Sequence, residues 1–266
     1  MLKGLLNWAR GRIDYLDAIL IMAFVTNRTK INIMTAGDDE TLTEVESARF
    51  RVYVEQRAAH KPLAYIAGVR EFMGLDFEVN EHTLIPRPDT ETVVEAALNI
   101  IKQTGVKRIL EIGAGSGCIS VSLAAICLDD LDITSTDIDV AALETAKRNA
   151  DRYSVSVRFI QSDLFSNVDP GMFDMIISNP PYIPSDEIDL LAGSVANYEP
   201  RLALDGGADG LNFYRAVTEM ASNYIVYEIG YNQAEDVRTI LLRNGFTDVK
   251  VIKDLAGHNR VITAHK

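Results

Sequence analysis

Leu110-Glu111-Ile112-Gly113-Ala114-Gly115-Ser116-Gly117-Cys118 is the stretch that decides the fold of this chain of 266 residues. It joins an apolar, strand-like run to a helical pattern. Its alternating glycines permit a tight turn, a close approach of the backbone to a ligand, and free N–H groups at the start of a helix. A dinucleotide-binding fingerprint needs G-x-G-x-x-G, and Cys118 occupies the last of those positions. The spacing E-x-G-x-G-x-G therefore argues against a nicotinamide dehydrogenase.

Strand-like and helical patterns alternate from Arg108 onward, which predicts a mostly parallel sheet with helices on both faces. Ligands bind at the carboxyl ends of the strands in such folds. Residues 254–259 are too few for a helical crossover, so the last two strands should be antiparallel. This arrangement favours a methyltransferase-like α/β sheet of seven strands. The candidate strands are 108–112, 132–137, 156–161, 173–178, 224–229, 247–253 and 260–264, and the candidate helices between them are 118–127, 141–152, 211–222 and 234–244.

Acidic residues stand at the ends of three successive strands. Glu111 can orient an ammonium group, directly or through water. Asp137, which follows Gly117 by 20 residues, can accept hydrogen bonds from both hydroxyls of a ribose. Asp163 can accept from an adenine amino group. Each residue alone is also explained as a helix cap, but the three together predict binding of S-adenosyl-L-methionine. The predicted contacts are Glu111, Gly113, Ala114, Gly115, Ser116, Gly117, Asp137 and Asp163.

Asn179-Pro180-Pro181-Tyr182 follows the apolar run 173–178 and should lie at the end of a buried strand. Asn179 offers a carbonyl acceptor, and Pro180 removes a backbone donor and stiffens the chain. Tyr182 adds a flat aromatic face. Two acceptors and a ring make a slot for a planar NH2 group, which adenine, guanine and glutamine all carry. A proline-rich turn is the structural alternative for these four residues.

Residues 1–67 have a helical pattern that Gly37 interrupts, and Thr43 with Glu46 has the spacing of a capping box. The alternation over 71–79 and the run 83–85 predict a hairpin that turns at Asn80-Glu81. Pro86 and Pro88 then end the hairpin, and a helix is expected to run to about Thr104. We therefore expect a helical substrate-docking domain over 1–68, a β-hairpin linker over 69–86 and a catalytic domain over 87–266.

The charge of the chain is uneven. Its net charge is -12; residues 1–68 hold nine Lys/Arg and eight Asp/Glu, and the remainder is strongly acidic. An acidic surface argues against direct nucleic-acid binding. Two cysteines imply no disulfide framework, and the four histidines lack ligand spacing, so no metal site is expected. The run Ala18 to Val25 is too short to cross a membrane and is interpreted as a buried helix face. We expect a cytoplasmic monomer with no membrane association.

Nearly the whole chain resembles the HemK/PrmC family of peptide chain release factor N5-glutamine methyltransferases. The segments LIPRPDTE and EPRLALDGGADGL are more specific to that family than NPPY is. The segments that carry the resemblance are Pro62 to Gly68, Leu84 to Glu91, Asn179 to Tyr182, Tyr198 to Leu211, Glu228 to Gln233 and Asp254 to Arg260.

The resemblance implies a class I S-adenosyl-L-methionine-dependent methyltransferase with an N-terminal helical bundle and a β-hairpin linker. Its expected reaction methylates the side-chain amide of the glutamine in the GGQ motif of class 1 release factors. The NPPY residues Asn179, Pro180, Pro181 and Tyr182 would hold that glutamine, and Asn179 would also contact the cofactor. Leu164, where many relatives have Trp, would form part of the adenine wall. Arg87 and Thr90 would border the slot, although a helix N-terminus also explains Pro88-Asp89-Thr90.

Two other functions stay open on the residues alone. A nucleic-acid methyltransferase would present an adenine or guanine amine to the same slot, but the acidic catalytic region and the lack of a target-recognition insert weigh against it. A non-catalytic cofactor-binding scaffold is disfavoured by the intact glycine loop, the acidic strand ends and NPPY. We assign no general base, because an oriented amide can lose its proton to water after methyl transfer.

Overall fold

The computed structural model describes residues 1–127, 129–221 and 223–266. The chain divides into two compact units. One contains Met1–Val69 with Ala192–Tyr198, and the other contains Arg70–Leu191 with Glu199–Lys266. Each unit is built around its own apolar core. The larger unit carries the glycine loop and NPPY.

The larger unit is centred on a sheet of seven strands in the order β5-β4-β3-β6-β7-β9-β8. The first five are parallel, whereas β9 is antiparallel to both β7 and β8. The predicted antiparallel end of the sheet is thus confirmed, and the predicted strands agree with the structure to within two residues at each end. The strands are β3 (Arg108–Ile112), β4 (Asp132–Asp137), β5 (Arg158–Gln161), β6 (Met175–Ser178), β7 (Tyr224–Glu228), β8 (Thr247–Lys253) and β9 (Asn259–His265).

Helices cover both faces of this sheet because successive strand residues point to opposite sides. Ile109 packs into one apolar cluster with Val93 and Val94, whereas Leu110 packs into a second with Tyr214 and others. The class I methyltransferase architecture expected from the alternation is therefore present. The helices of the larger unit are α6 (Glu91–Thr104), α7 (Cys118–Ile126), α8 (Val140–Arg152), α10 (Asn212–Met220) and α11 (Ala234–Arg243). The short α9 (Gly193–Ala196) belongs to the smaller unit.

The predicted hairpin is present, but the prediction of its turn at Asn80-Glu81 was wrong. Its strands are β1 (Val69–Phe72) and β2 (Leu75–Glu78), and residues 83–85 form no strand. The turn lies at Met73 and Gly74, whose φ angles are 53° and 76°. Two consecutive positive φ angles are typical of the tight turn that matches strand twist. A strand was predicted through these two residues because Met73 continues the apolar alternation.

The smaller unit consists mainly of helices, as the pattern over 1–67 predicted. Ala18, Ile19, Ile21, Met22 and Val25 are buried, which confirms the predicted buried face of that apolar run. Within the described ranges, no helix combines the length and apolar character that crossing a membrane requires. The helices are α1 (Leu2–Arg10), α2 (Tyr15–Thr26), α3 (Lys30–Met34), α4 (Glu44–Ala58) and α5 (Leu63–Ala67).

The capping box at the start of α4 is also confirmed. The Thr43 hydroxyl accepts from the Glu46 N–H at 3.1 Å, and the Glu46 carboxylate accepts from the Thr43 N–H at 2.8 Å. These reciprocal bonds satisfy donors that a helix start would otherwise leave unpaired.

Candidate active site

A cavity of about 300 Å³ lies at the carboxyl ends of the central parallel strands. This is the edge where ligands bind in open α/β sheets. All predicted site residues line it except Gly117 and Tyr182. Those that line it are Arg87, Thr90, Glu111, Gly113, Ala114, Gly115, Ser116, Asp137, Asp163, Leu164, Asn179, Pro180 and Pro181.

The glycine loop is held against β4 by its own backbone. The N–H groups of Gly113 and Ala114 both donate to the Thr136 carbonyl at 2.8 Å. Gly117 begins α7, and a Cβ there would lie 3.0 Å from the Cβ of Ala146 on α8. Gly117 therefore permits close packing of the loop on α8 and does not itself face the cavity.

Glu111 presents a buried carboxylate to the cavity. One oxygen, Oε2, accepts a hydrogen bond from the hydroxyl of Ser135, the residue that is paired with Glu111 on the neighbouring strand β4. The other, Oε1, is buried and has no hydrogen-bond partner among the described residues. Burial raises the pKa of Glu111 to about 7. An unpartnered buried acceptor of this kind is suited to a cationic donor on a ligand.

Asp137 is engaged by the backbone on both oxygens. Oδ2 accepts from the Gly115 N–H at 2.9 Å, and Oδ1 accepts from the Asp139 N–H at 3.0 Å. Burial raises the pKa of Asp137. Each carboxylate oxygen accepts more than one hydrogen bond, so Asp137 shapes the glycine loop and still has capacity for a ligand hydroxyl.

The third strand end contributes Asp163 and Leu164 to the cavity wall. Asp163 is exposed, and Leu164 has a φ of 48°. The Ser162 hydroxyl fixes this turn by donating to the Leu164 carbonyl at 2.8 Å. Phe213 also lines the cavity with its aromatic ring and was not predicted as a site residue. Phe213 could have been predicted from its position at the start of α10, just after the GGADGL segment that resembles the family.

The side-chain amide of Asn179 is oriented by its neighbour Thr90. Asn179 Nδ2 donates to Thr90 Oγ1 at 3.1 Å, and the Thr90 hydroxyl donates to Glu228 Oε2 at 2.6 Å. No donor from the described residues reaches Asn179 Oδ1 or the Pro180 carbonyl. These two oxygens are therefore among the acceptors of the NPPY segment that no described residue occupies.

Tyr182 lies outside the cavity lining, and its ring packs against the second apolar cluster. Its hydroxyl donates to Glu228 Oε1 at 3.3 Å, and its carbonyl accepts from Gln233 Nε2 at 2.9 Å. Burial raises the pKa of the Tyr182 hydroxyl. Tyr182 therefore anchors the NPPY segment, whereas the sequence predicted that its ring would form a face of the slot.

Glu228, at the end of β7, was missed as a site residue. It is 1% exposed, and burial raises its pKa to about 7. The Arg260 guanidinium opposes this rise, and Arg260 is itself paired with Asp89 at 3.3 Å and Asp254 at 3.2 Å. Glu228 could have been proposed from the segment Glu228-Ile229-Gly230, which is part of the resemblance to the family but was given no function.

Arg87 reaches the cavity from the segment before α6 and forms an ion pair with Glu199. The Glu199 carboxylate is 1% exposed and also accepts from the Ile85 N–H at 3.2 Å. A guanidinium has five N–H donors. The ion pair uses part of this donor set and holds Arg87 at the cavity wall.

The segment 204–211 packs against the NPPY segment. Ile183 N–H donates to the Leu204 carbonyl at 3.0 Å, and Gly206 N–H donates to the Ile183 carbonyl at 2.9 Å. Gln233 joins both segments, since its Nε2 donates to the carbonyls of Tyr182 and Gly210. The GGADGL segment, which is part of the resemblance to the family, therefore packs against the NPPY segment and holds it in place.

Within the ranges that the structure describes, no group of three or more His, Cys, Asp or Glu side chains could hold a metal ion. Cys118 and Cys127 are both free thiols. The arrangement is that of a ligand-binding cavity lined by carboxylates, backbone N–H groups and amide acceptors.

Two family descriptions match the chain. Residues 5–68 match "PrmC N-terminal domain", and residues 91–197 match "Methyltransferase small domain". The release factor glutamine methyltransferase of Geobacter sulfurreducens is 41% identical, over 98% of this chain and 95% of that protein. The Agrobacterium fabrum protein of the same name is 40% identical, over 93% and 89%.

A bifunctional methyltransferase of Rickettsia felis is 38% identical over 93% of this chain, which spans 53% of that longer protein. Among solved structures, the hMettl16 catalytic domain in complex with MAT2A 3′UTR hairpin 6 aligns with a TM-score of 0.61 at 15% identity, covering 92% of this chain and 91% of that one. A Pyrococcus furiosus methyltransferase aligns with a TM-score of 0.51 at 19% identity, covering 81% and 97%. These two structures support the fold alone.

Proposed function

The chain belongs to the release factor glutamine methyltransferase family, and on that premise we propose that it methylates the side-chain amide nitrogen of a release factor glutamine, with S-adenosyl-L-methionine as methyl donor. The observation that carries the proposal is one cavity lined by both the glycine loop and the NPPY acceptors. The acceptor glutamine that we propose is the one in the GGQ motif of class 1 factors.

The residues of the glycine-loop side fit this cofactor. The unpartnered Oε1 of Glu111 is suited to its ammonium group, and Asp137 has spare acceptor capacity for the ribose hydroxyls. Asp163 and Leu164 line the same cavity and would hold the adenine. When bound, the cofactor supplies an electrophilic methyl group and leaves as S-adenosyl-L-homocysteine.

The NPPY side orients the acceptor. An amide nitrogen is a weak nucleophile because its lone pair is delocalised into the carbonyl. Asn179 Oδ1 and the Pro180 carbonyl accept its two N–H groups, which fixes the amide plane and the direction from which its nitrogen reacts. Orientation and preorganised acceptors supply most of the acceleration. The nitrogen becomes acidic once it is methylated, so its proton leaves to water.

The decisive experiment incubates the protein with labelled S-adenosyl-L-methionine and a recombinant class 1 release factor. We expect label on the intact release factor and none when its GGQ glutamine is replaced by alanine. A duplex DNA and a structured RNA are tested in parallel. Labelling of nucleic acid, with an unlabelled release factor, would contradict the proposal in favour of the amino-methyltransferase alternative.

We further propose that the protein acts as a cytoplasmic monomer without binding nucleic acid. The acidic balance of residues 69–266 disfavours contact with phosphate backbones. Two free cysteines fit a reducing compartment. The smaller unit, with its match to the PrmC N-terminal domain, is the proposed docking module for the release factor.

A further inference from the structure

Three segments that are distant in the chain from Glu228 form the surroundings of its carboxylate, two by hydrogen bonds and one by charge. Thr90 precedes α6, Tyr182 ends NPPY, and Arg260 lies on β9. The hydroxyls of Thr90 and Tyr182 each donate to a different oxygen of Glu228, at 2.6 and 3.3 Å. Neither Glu228 nor Tyr182 lines the cavity, so Glu228 acts on the site only through the residues that it holds.

We propose that Glu228 is a positioning residue for methyl transfer, which fixes the side-chain amide of Asn179 through the Thr90 hydroxyl and fixes NPPY through Tyr182. This inference rests on the proposed function, because the group that Asn179 presents is assigned there to the substrate amide.

The donor and acceptor directions of these hydrogen bonds determine how the Asn179 amide is oriented. A threonine hydroxyl has one hydrogen, and Thr90 donates it to Glu228 Oε2. Thr90 Oγ1 can then only accept from Asn179, so it selects the Nδ2 end of the amide. Asn179 Oδ1 is left as an acceptor for a substrate N–H. Glu228 thereby determines which end of the Asn179 amide faces the substrate.

Removal of the carboxylate would release this constraint. The Thr90 hydroxyl would be free to donate to Asn179 Oδ1, and the amide would turn its NH2 group toward the substrate. Two NH2 groups cannot hydrogen-bond to each other usefully, because both are donors. The substrate would then lose one of its two acceptors, although the cavity and the glycine loop would be unchanged.

Burial raises the pKa of Glu228 to about 7, whereas its hydrogen-bond donors and Arg260 favour the ionised form. An ionised carboxylate only accepts hydrogen bonds, and both of its neighbours donate. The Arg260 guanidinium provides a positive charge nearby, while Asp89 adds a negative one. The Tyr214 hydroxyl binds the main-chain carbonyl of Glu228 at 2.8 Å, so the backbone is fixed independently of the side chain.

The test compares Glu228→Leu with Glu228→Gln. Leucine removes both acceptors, and we expect kcat to fall by about tenfold to a hundredfold, as for other losses of orientation. Glutamine keeps one oxygen for Thr90, so kcat should stay within about fivefold of the wild-type value. The dissociation constant for S-adenosyl-L-methionine, measured by calorimetry, should be unchanged in both variants.

A second pair tests the same chain of hydrogen bonds without altering Glu228. Thr90→Val removes the hydroxyl and should reduce kcat as Glu228→Leu does, whereas Thr90→Ser keeps the hydroxyl and should restore most of it. If the two residues act in series, the Thr90→Val/Glu228→Leu double variant is no slower than the slower single variant. This pair also decides the question if Glu228→Leu does not fold.

Four results would each overturn the inference. Two concern single variants: Glu228→Leu keeps the wild-type kcat, or the leucine and glutamine variants lose kcat equally. The other two are that the losses multiply in the double variant, or that the variants also lose affinity for the cofactor. Wild-type protein is assayed on the release factor in every experiment. Failure of the wild type to methylate it would contradict the proposed function, whereas an active wild type with an active Glu228→Leu variant would contradict the positioning role alone.

Discussion

Asn179 has an amide with two chemically different ends, and the structure assigns each a different neighbour. Nδ2 is used by Thr90, and Oδ1 has no donor among the described residues. A sequence reveals that an asparagine is present at a strand end, but not which end of its amide faces a ligand. That choice depends on Thr90 and Glu228, which are separated by 138 residues.

The role of Asn179 can be tested by Asn179→Ala. We expect kcat to fall by about a hundredfold to a thousandfold, because one preorganised acceptor is lost. The affinity for S-adenosyl-L-methionine should change little, since the glycine loop and Glu111 are untouched. Equilibrium binding of the cofactor is measured beside release factor methylation. A loss of cofactor affinity as large as the loss of turnover would show that Asn179 serves the cofactor and not the acceptor.

At the scale of elements, the segment 204–211 supports NPPY through close backbone contact. Gly210 has a φ of 72°, and a Cβ at this position would overlap the Tyr182 carbonyl and the Gln233 amide. Gly257, in the turn between β8 and β9, has a φ of 86° and open space where a Cβ would be. The two glycines thus share a backbone conformation but differ in their neighbours.

Gly210→Ala and Gly257→Ala form a matched pair. Each should lose about 1–2 kcal/mol of stability for an alanine in the left-handed region. Gly210→Ala should lose more than this, because the NPPY segment must also shift, and its methylation rate should fall. Urea unfolding and methylation assays measure both effects. Equal stability losses, with full activity in both variants, would argue against the supporting role of this segment.

The elements themselves were largely predictable from the sequence. β3, β4 and β8 have the predicted bounds. β3 is a buried parallel strand, which reads as an apolar run, whereas β8 is an antiparallel edge strand in which Val249 and Val251 alternate with polar residues. The hairpin was misplaced because Met73 adopts a positive φ that is uncommon for a residue other than glycine. The network at Glu228 was not predictable, since it depends on how β7 and the start of α6 meet in three dimensions.

At the scale of the whole molecule, two buried carboxyls link stability to pH. Glu111 and Glu228 have pKa values raised to about 7 by burial, from a model-peptide value near 4.5. Below pH 4.5 both groups are protonated in the folded and unfolded states. As pH rises through 7 the unfolded chain ionises first, so the stability that these groups provide is progressively lost.

We therefore expect the free energy of unfolding to fall between pH 4.5 and 7, by on the order of 3 kcal/mol for each carboxyl. Asp174, whose pKa is lowered to about 2 by Arg108, acts in the opposite direction, but only below about pH 4. Urea unfolding at pH 5 and pH 7.5 measures the difference for the wild type, Glu111→Gln and Glu228→Gln. Each variant should lose part of the pH dependence; a slope equal to that of the wild type would refute the assignment.

The position of β9 in the sheet has a consequence for how the protein is made. β9 follows β8 in the chain, yet it lies between β7 and β8. During synthesis, one edge of β7 therefore stays unpaired until β9, which begins more than 30 residues later in the chain, pairs with it. Unpaired edges invite association with other chains. The same insertion brings Arg260 to Asp89 and near the carboxylate of Glu228, so protection of this strand edge and completion of the surroundings of Glu228 should occur in one step.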